Sequence, residues 1–203
     1  MVSNRIRLPM SDTPKPGVAL CIGGAACMQA DISKAFELLY PETDLLRAFS
    51  EYGPVETFAC NNAGYDYPYK LDHWGTLHPD KMPDWKARRY KNKHPFIGIK
   101  YWTSNINYKD YGVEFNHVEQ WNGSSGLLMV TVALTLGFQK IILAGIPLDR
   151  KQAHYDNKAL WNDASKYRTG WIKRKPQMLD KVKSFSGWTR DLLGEPTKEW
   201  LSK

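Results

Sequence analysis

Cysteine is scarce: Cys21, Cys27 and Cys60 are the only three in 203 residues, and no CxxC spacing occurs among them. An odd count without ligand spacing excludes a disulfide framework and a cysteine zinc site, and it fits a reducing, cytoplasmic setting. No apolar run approaches 18 residues, so no transmembrane helix and no membrane partner are expected. Residues 1–16 are polar, carry Arg5, Arg7 and Lys15 and hold no apolar stretch, so no signal peptide is expected. HExxH, GxSxG, GxGxxG and a Walker lysine are all missing, which removes the common zinc-peptidase, hydrolase, dinucleotide and P-loop signatures. No repeat, low-complexity tract or glycine- or proline-rich linker divides the chain. A single domain is therefore expected, with residues 1–150 as its core and residues 151–203 as an extension packed on that core.

Aromatic side chains and positive charge are in surplus. Eight Trp, 11 Tyr and 7 Phe make up 13% of the chain, and 28 Lys/Arg against 21 Asp/Glu give a formal charge of +7. Hydrophobic residues at 42% and charged residues at 24% are ordinary globular values, so disorder and fibrous classes are excluded. A basic, aromatic-rich chain points to an anionic partner, with nucleotides and nucleic acid as the first classes. The surplus is uneven: residues 151–203 hold 12 Lys/Arg against 6 Asp/Glu, whereas residues 1–150 hold 16 against 15. Nucleic acid, if bound, is expected on the C-terminal segment.

Apolar runs predict strands at residues 18–22 and 140–144, and residues 55–60, 71–77, 96–102 and 113–118 read as further strands, with glycine, proline or asparagine near most of their ends. Periodicity predicts helices at 31–40, 43–52 and 82–93. Residues 124–136 are apolar almost all round, which predicts a buried helix stopped by Gly137. Beyond residue 150 the pattern breaks into short amphipathic pieces bearing Trp161, Trp171, Trp188 and Trp200. Alternating strands and helices predict an α/β, Rossmann-like fold with a mostly parallel sheet, helices on both faces and an irregular helical C-terminal extension. In such sheets ligands sit outside the carboxyl ends of the strands, which selects the loops after Ile22, Cys60, Leu77, Val118 and Ala144.

Gly23, Gly24 and Ala25 follow the first of these strands; small residues there let backbone N–H groups approach a phosphate, or simply form a tight turn. Ser124, Ser125 and Gly126 open the buried helix, where orphan N–H groups and the helix dipole favour an anion; capping by Ser124 is the plainer alternative. Asn61 and Asn62 suit a base or ribose, or an Asx-turn. His154 is the histidine best placed as a general base or phosphate ligand, and Asp149 suits ribose hydroxyls, a metal or a solvated turn. His73 and His78 are five apart on a predicted strand and point to opposite faces, so no metal site is expected. Lys86, Arg88, Arg89, Lys91 and Lys93 spread around a helix as a solvated face does, with polyanion contact as the other reading.

Residues 123–134, then Gly137 and residues 141–145, resemble the small-sialylmotif region of sialyltransferases and the matching segment of the Rossmann-like proteins related to 6-hydroxymethylpterin diphosphokinase, many of them phage-encoded. Residues 18–24, 58–61 and 71–74 are similar to that family's first strand, its strand-terminal Asn and its aspartate-bearing strand, and His154-Tyr155 matches a His-Tyr or His-Trp that follows. The resemblance covers segments 17–24, 55–79 and 113–154. It implies a cytoplasmic transferase, in a host cytoplasm for a phage member, that uses a nucleotide-activated donor such as a nucleotide sugar as substrate, for glycosyl or related group transfer. It further implies His154 and Asp72 as catalytic residues, and a nucleotide held by Gly23, Gly24, Ala25, Asn61, Asn62, Ser124, Ser125, Gly126, Gly145 and Asp149. No cofactor is called for. Where the family has Gly-x-Asp, this chain has Gly145-Ile146-Pro147, with the carboxylate displaced to Asp149. A non-catalytic nucleotide-binding protein, acting as a sponge for a signalling or defence nucleotide, and a nucleic-acid-modifying enzyme are the alternative functions.

Overall fold

Strands that feed alternate residues into two cores must be apolar on both faces, and the runs at 18–22 and 141–144 meet that condition. The computed structural model describes residues 7–41, 50–106, 109–119, 121, 123–150, 153–155, 160, 162 and 164–203. Within them the strands are β1 (Arg7–Leu8), β2 (Lys15–Ile22), β3 (Val55–Cys60), β4 (His73–Gly75), β5 (Lys100–Thr103), β6 (Phe115–Val118), β7 (Phe138–Ala144) and β8 (Val182–Ser184). They form one sheet in the order β1-β6-β5-β4-β3-β2-β7-β8, and every described pairing is parallel. Ala19, Cys21, Ile141 and Leu143 enter one core, while Val18, Leu20, Ile22, Ile142 and Ala144 enter the other.

Helices cover both faces. On the first lie α4 (Ser125–Thr135), α5 (Ala164–Met178) and α6 (Gly187–Leu193); on the second lie α1 (Met28–Leu39), α2 (Ala63–Asp66), α3 (Met82–Lys91) and α7 (Lys198–Leu201). Each of the 11 residues of α4 is buried, as its all-round apolar sequence predicts. Among the described residues no helix is long and apolar enough to cross a membrane.

Several expectations are corrected. The strand expected at 96–102 begins only at Lys100, because Pro95 and Gly98, the latter at φ 80°, break the extended run. The strand expected at 71–77 shortens to three residues. The helix expected at 43–52 falls largely on residues outside the described set. The C-terminal extension is helical as expected, with the 15-residue α5, and it also adds an unforeseen strand, β8, which hydrogen-bonds to β7 in the main sheet. Arg89 does not belong to a solvated face. It is fully buried, and its guanidinium donates to the carbonyls of Gly64, Tyr67, Tyr69 and Pro95 at 2.6, 2.6, 2.8 and 2.7 Å.

His73 and Asp72 belong to the N-terminal half of the sheet. The His73 ring stacks on Phe58 with centroids 4.2 Å apart, and its Nδ1 accepts the Trp102 indole N–H at 3.0 Å. An indole nitrogen only donates, so the proton of the neutral ring sits on Nε2 and is given to Glu56 at 2.9 Å. Burial holds the His73 pKa below its ordinary value even though Glu56 pulls it up. The native state therefore binds this proton less readily than the unfolded chain. The stabilisation is complete above about pH 6.5 and is lost as pH falls through the lower folded-state value. Thermal melting is expected at a lower temperature at pH 5.5 than at pH 7.5, and His73→Phe, which cannot titrate, should remove most of that slope. Equal slopes in the two proteins would refute this account.

Candidate functional site

The strand order reverses between β2 and its neighbours. From β2 the chain runs outward through β3, β4, β5 and β6, then returns to place β7 on the other side. Loops leaving the carboxyl ends diverge at such a switch point and leave a crevice between them. A cavity of about 330 Å³ lies there, within the size range of small-molecule sites. Gly23, Gly24, Ala25, Asn61, Asn62, Ser124, Ser125, Gly126, Gly145, Asp149 and His154 all line it.

Two glycine turns form its floor. A Cβ on Gly23 would lie 2.5 Å from the Gly145 carbonyl oxygen, and one on Gly145, which sits at φ 68°, would lie 2.4 Å from that of Gly23. The N–H groups of Gly23, Ala25 and Ala26 donate to the carbonyls of Ala144, Gly145 and Ala153 at 2.8, 3.2 and 2.8 Å. These three donors are committed to the fold, and α1 starts only at Met28, so at these positions the turn contributes shape and close approach.

The start of α4 behaves differently. Ser124 occupies the N-cap in extended conformation, but its side chain accepts no helix N–H. Its Oγ instead accepts the buried Trp171 indole N–H at 3.4 Å, so simple capping is not its role. The first N–H groups of α4 have no acceptor within the helix and stand at the positive end of its dipole, on the cavity wall.

Asn61 sits at φ 51°, a left-handed conformation uncommon outside glycine. Trp74 donates its indole N–H to the Asn61 carbonyl at 2.7 Å, and the Asn61 N–H donates to Gly75 at 3.0 Å. The Thr76 hydroxyl donates to Oδ1 of Asn61 at 2.9 Å while accepting the His78 N–H at 2.8 Å. The amide is thus held from the neighbouring strand rather than by an Asx-turn. Asn62 accepts the Tyr155 hydroxyl on its carbonyl at 3.1 Å; burial, followed by the Asp66 carboxylate, pushes that phenol's pKa well up and keeps it a donor.

Its fold resembles that of the sialyltransferase CstII from Campylobacter jejuni. That protein, solved in complex with a substrate analogue, cytidine-5'-monophosphate, is 14% identical, with a TM-score of 0.50 over 89% of this chain and 86% of that one. No family model and no curated protein matches the chain.

His154 is brought to the glycine floor by a bridge to Ala25 and by the Tyr155 N–H, which donates to Gly24 at 3.1 Å. A Cβ on Gly24 would lie 2.9 Å from His154 Nε2, so glycine at 24 admits the imidazole. The turn after β7 is clamped all along its length. Asp31 accepts the Gly145 N–H at 2.9 Å, Thr189 gives its hydroxyl to the Ile146 carbonyl at 2.6 Å, and Arg168 donates twice to the Leu148 carbonyl at 3.0 and 2.8 Å. Leu148 is held at φ 46°, and Asp149 follows at the cavity wall.

Asp72 does not join this group. It precedes β4, while the cavity lies beyond the other end of that strand, on the order of 10 Å away at about 3.3 Å per residue. Its carboxylate accepts the Thr57 N–H and hydroxyl at 3.0 and 3.1 Å and pairs with Lys70 at 2.6 Å. Burial opposes its ionisation, but Lys70 and Thr57 prevail and its pKa lies below the ordinary value. Asp72 is a strand-joining residue, and the catalytic role expected for it is withdrawn.

The sequence reading missed His78, Leu160 and Tyr167, which also line the cavity. His78 follows a strand-end loop already selected, so its position was readable. Tyr167 lies on α5, in the segment without resemblance, and carries no such signal. Gly23→Ala is expected to destabilise the protein by about 2–4 kcal/mol, because the methyl meets rigid backbone. Urea denaturation measures this, and a midpoint equal to that of the wild type would show that the two turns can part.

Proposed function

We propose that this protein is a transferase that uses a nucleotide-activated donor, a nucleotide sugar in the first instance, and moves the activated group to an acceptor hydroxyl. The observation that carries the reading is the convergence of the α4 N-terminus, the glycine floor, Asn61, Asn62 and His154 on one cavity at the sheet's switch point. The fold likeness to a sialyltransferase solved with a cytidine nucleotide supports it.

In this reading the Ser125 and Gly126 N–H groups hold the donor phosphate, where the helix dipole and desolvated donors favour negative charge. Asn61 presents its amide to the base or ribose, fixed by Thr76. Asp149 accepts from ribose hydroxyls and takes the place of the family's Gly-x-Asp carboxylate. The acceptor oxygen forms its bond to the donor carbon as the bond from that carbon to the phosphate oxygen breaks. The electron pair leaves with the nucleotide, and the acceptor proton passes to His154. Charge gathers on the leaving phosphate as the donor bond lengthens, so α4 stabilises the transition state more than the ground state.

Calorimetry with a panel of nucleotides and nucleotide sugars tests the first step. Binding is expected for at least one base, and Ser125→Asp should abolish it by placing a carboxylate where the phosphate sits; no binding by any of the panel removes the proposal. Thr76→Val is expected to weaken the same binding by about five- to thirtyfold, the value of one lost positioning hydrogen bond, and Thr76→Ser to restore it. His154→Ala should keep binding and lower transfer by about 10²-fold or more, as for a removed general base. Donor recovered intact by mass spectrometry after incubation with candidate acceptors would instead mark a protein that binds without turnover.

A further inference from the structure

The basic cluster on α3 plays no part in the nucleotide cavity. It lies at the amino ends of the strands, on the opposite edge of the sheet, and leads into residues 92–99 before β5. From Trp85 to Lys100 there are six Lys/Arg and no Asp or Glu. Within this stretch three large apolar or aromatic side chains face solvent: Ile97 is 87% exposed, Tyr90 68% and Phe96 47%.

These side chains are held outward by a built support. The α3 C-terminus closes through the Asn92, Lys93 and His94 N–H groups, which donate to Arg88, Tyr90 and Arg89, with Lys93 at φ 58°. Buried Arg89 ties the Pro95 carbonyl to the same guanidinium that holds Gly64, Tyr67 and Tyr69. Phe96 packs edge-on against Tyr90 with centroids 5.4 Å apart and planes at 82°. Ile99 turns into the core, which leaves Ile97 at the tip. Lys91, Lys93 and Lys100, in the same stretch of chain, are exposed.

We infer that this tip docks the protein on an anionic lipid bilayer, with Ile97 and Phe96 entering the interface and the lysines meeting the lipid phosphates. Two features favour a bilayer over nucleic acid. An aliphatic tip residue offers no face on which a base can stack, and Phe96 and Tyr90 are committed edge-to-face to each other rather than presented as parallel platforms. Exposed apolar side chains flanked in sequence by exposed lysines on a supported loop fit the headgroup boundary, where burial and charge attraction add. The expectation of no membrane partner rested on the lack of a spanning segment, and surface docking needs none. The cavity opens at the other edge of the sheet, so docking leaves it accessible whatever its ligand.

Vesicle co-sedimentation of the full chain tests the inference. Vesicles of phosphatidylcholine with about one-third phosphatidylglycerol should bind the wild type at least about tenfold better than phosphatidylcholine alone, with the difference reduced by salt. Ile97→Glu, and separately the pair Lys91→Glu with Lys93→Glu, should each lower binding about tenfold, while Ile97→Leu keeps it. All positions are exposed, so unchanged melting temperatures verify folding. Three results overturn the inference: equal binding to both vesicle types, wild-type binding by Ile97→Glu, or no vesicle binding together with a single-stranded DNA or RNA gel shift that the lysine pair abolishes.

Discussion

Everything at the site depends on how closely β2 and β7 can approach at their carboxyl ends. The strands are in parallel register, Ile22 beside Ala144, and the backbones that follow them touch where a side chain would collide. Two adjacent glycines at a topological switch point allow the chain to leave in two directions without opening a gap in the sheet. The cavity is the space above that contact. Its depth is set by the absence of Cβ atoms at Gly23 and Gly24, and its walls by the elements the two turns release: His154 over Gly24, α4 beside Ile146. Close backbone approach is the structural reason the site is lined by main chain and small side chains.

A floor built of turns needs support from behind, and the C-terminal segment supplies it. Trp171 on α5 is fully buried and reaches the N-cap of α4, Arg168 holds the carbonyl of Leu148, and Thr189 on α6 holds that of Ile146. Ser186 gives its hydroxyl to Asp31 at 2.5 Å, and Asp31 in turn fixes Gly145. Asp31 sits in the first turn of α1, where the helix dipole offsets some of the cost of burying a carboxylate. Part of the basic surplus has the same structural use. Arg168 lies over Trp188, Arg174 over Trp121 while pairing with Glu119, and the Lys183 ammonium donates to the Leu193 carbonyl. These cations serve packing, which pattern reading of a tail counts as free charge.

What was legible in the sequence follows from the range of the interactions involved. The carboxyl-terminal parts of β2, β3 and β7 and all of helix α4 are written in apolar or small residues, because each is buried there, and the loops that end them follow at once. That is why every residue expected at the nucleotide site was found on one cavity. Asp72 failed because a strand's sequence carries its two ends equally, and only the direction and register of its neighbours tell which end reaches the cavity. Arg89 failed for a related reason: helical spacing shows which residues share a face, not that the carbonyls of a loop more than 20 residues upstream await one of them. Strand β8 and Tyr167 depend on contacts across the whole chain, and local patterns of three residues do not specify them.

The two ends of a parallel sheet are chemically unlike, and the charge distribution of this protein follows that difference. At the carboxyl ends, loops expose main chain and helix α4 points its positive dipole end inward, and among the described residues no lysine or arginine lines the cavity. At the amino ends, side chains do the joining: Lys15 pairs with Glu56 and Lys70 with Asp72, and the neutral His73 ring donates a hydrogen bond to Glu56. The exposed cations of the α3 tip lie at that same end. A net positive charge that first suggests an anionic ligand in the site is thus carried mostly elsewhere. In the proposed reading, attraction within the cavity would come from N–H groups and an amide, which salt screens less than it screens exposed lysines. The two proposed modes of binding should therefore respond differently to ionic strength, because the one in the cavity would rest on buried dipoles and the one at the tip on solvated charge.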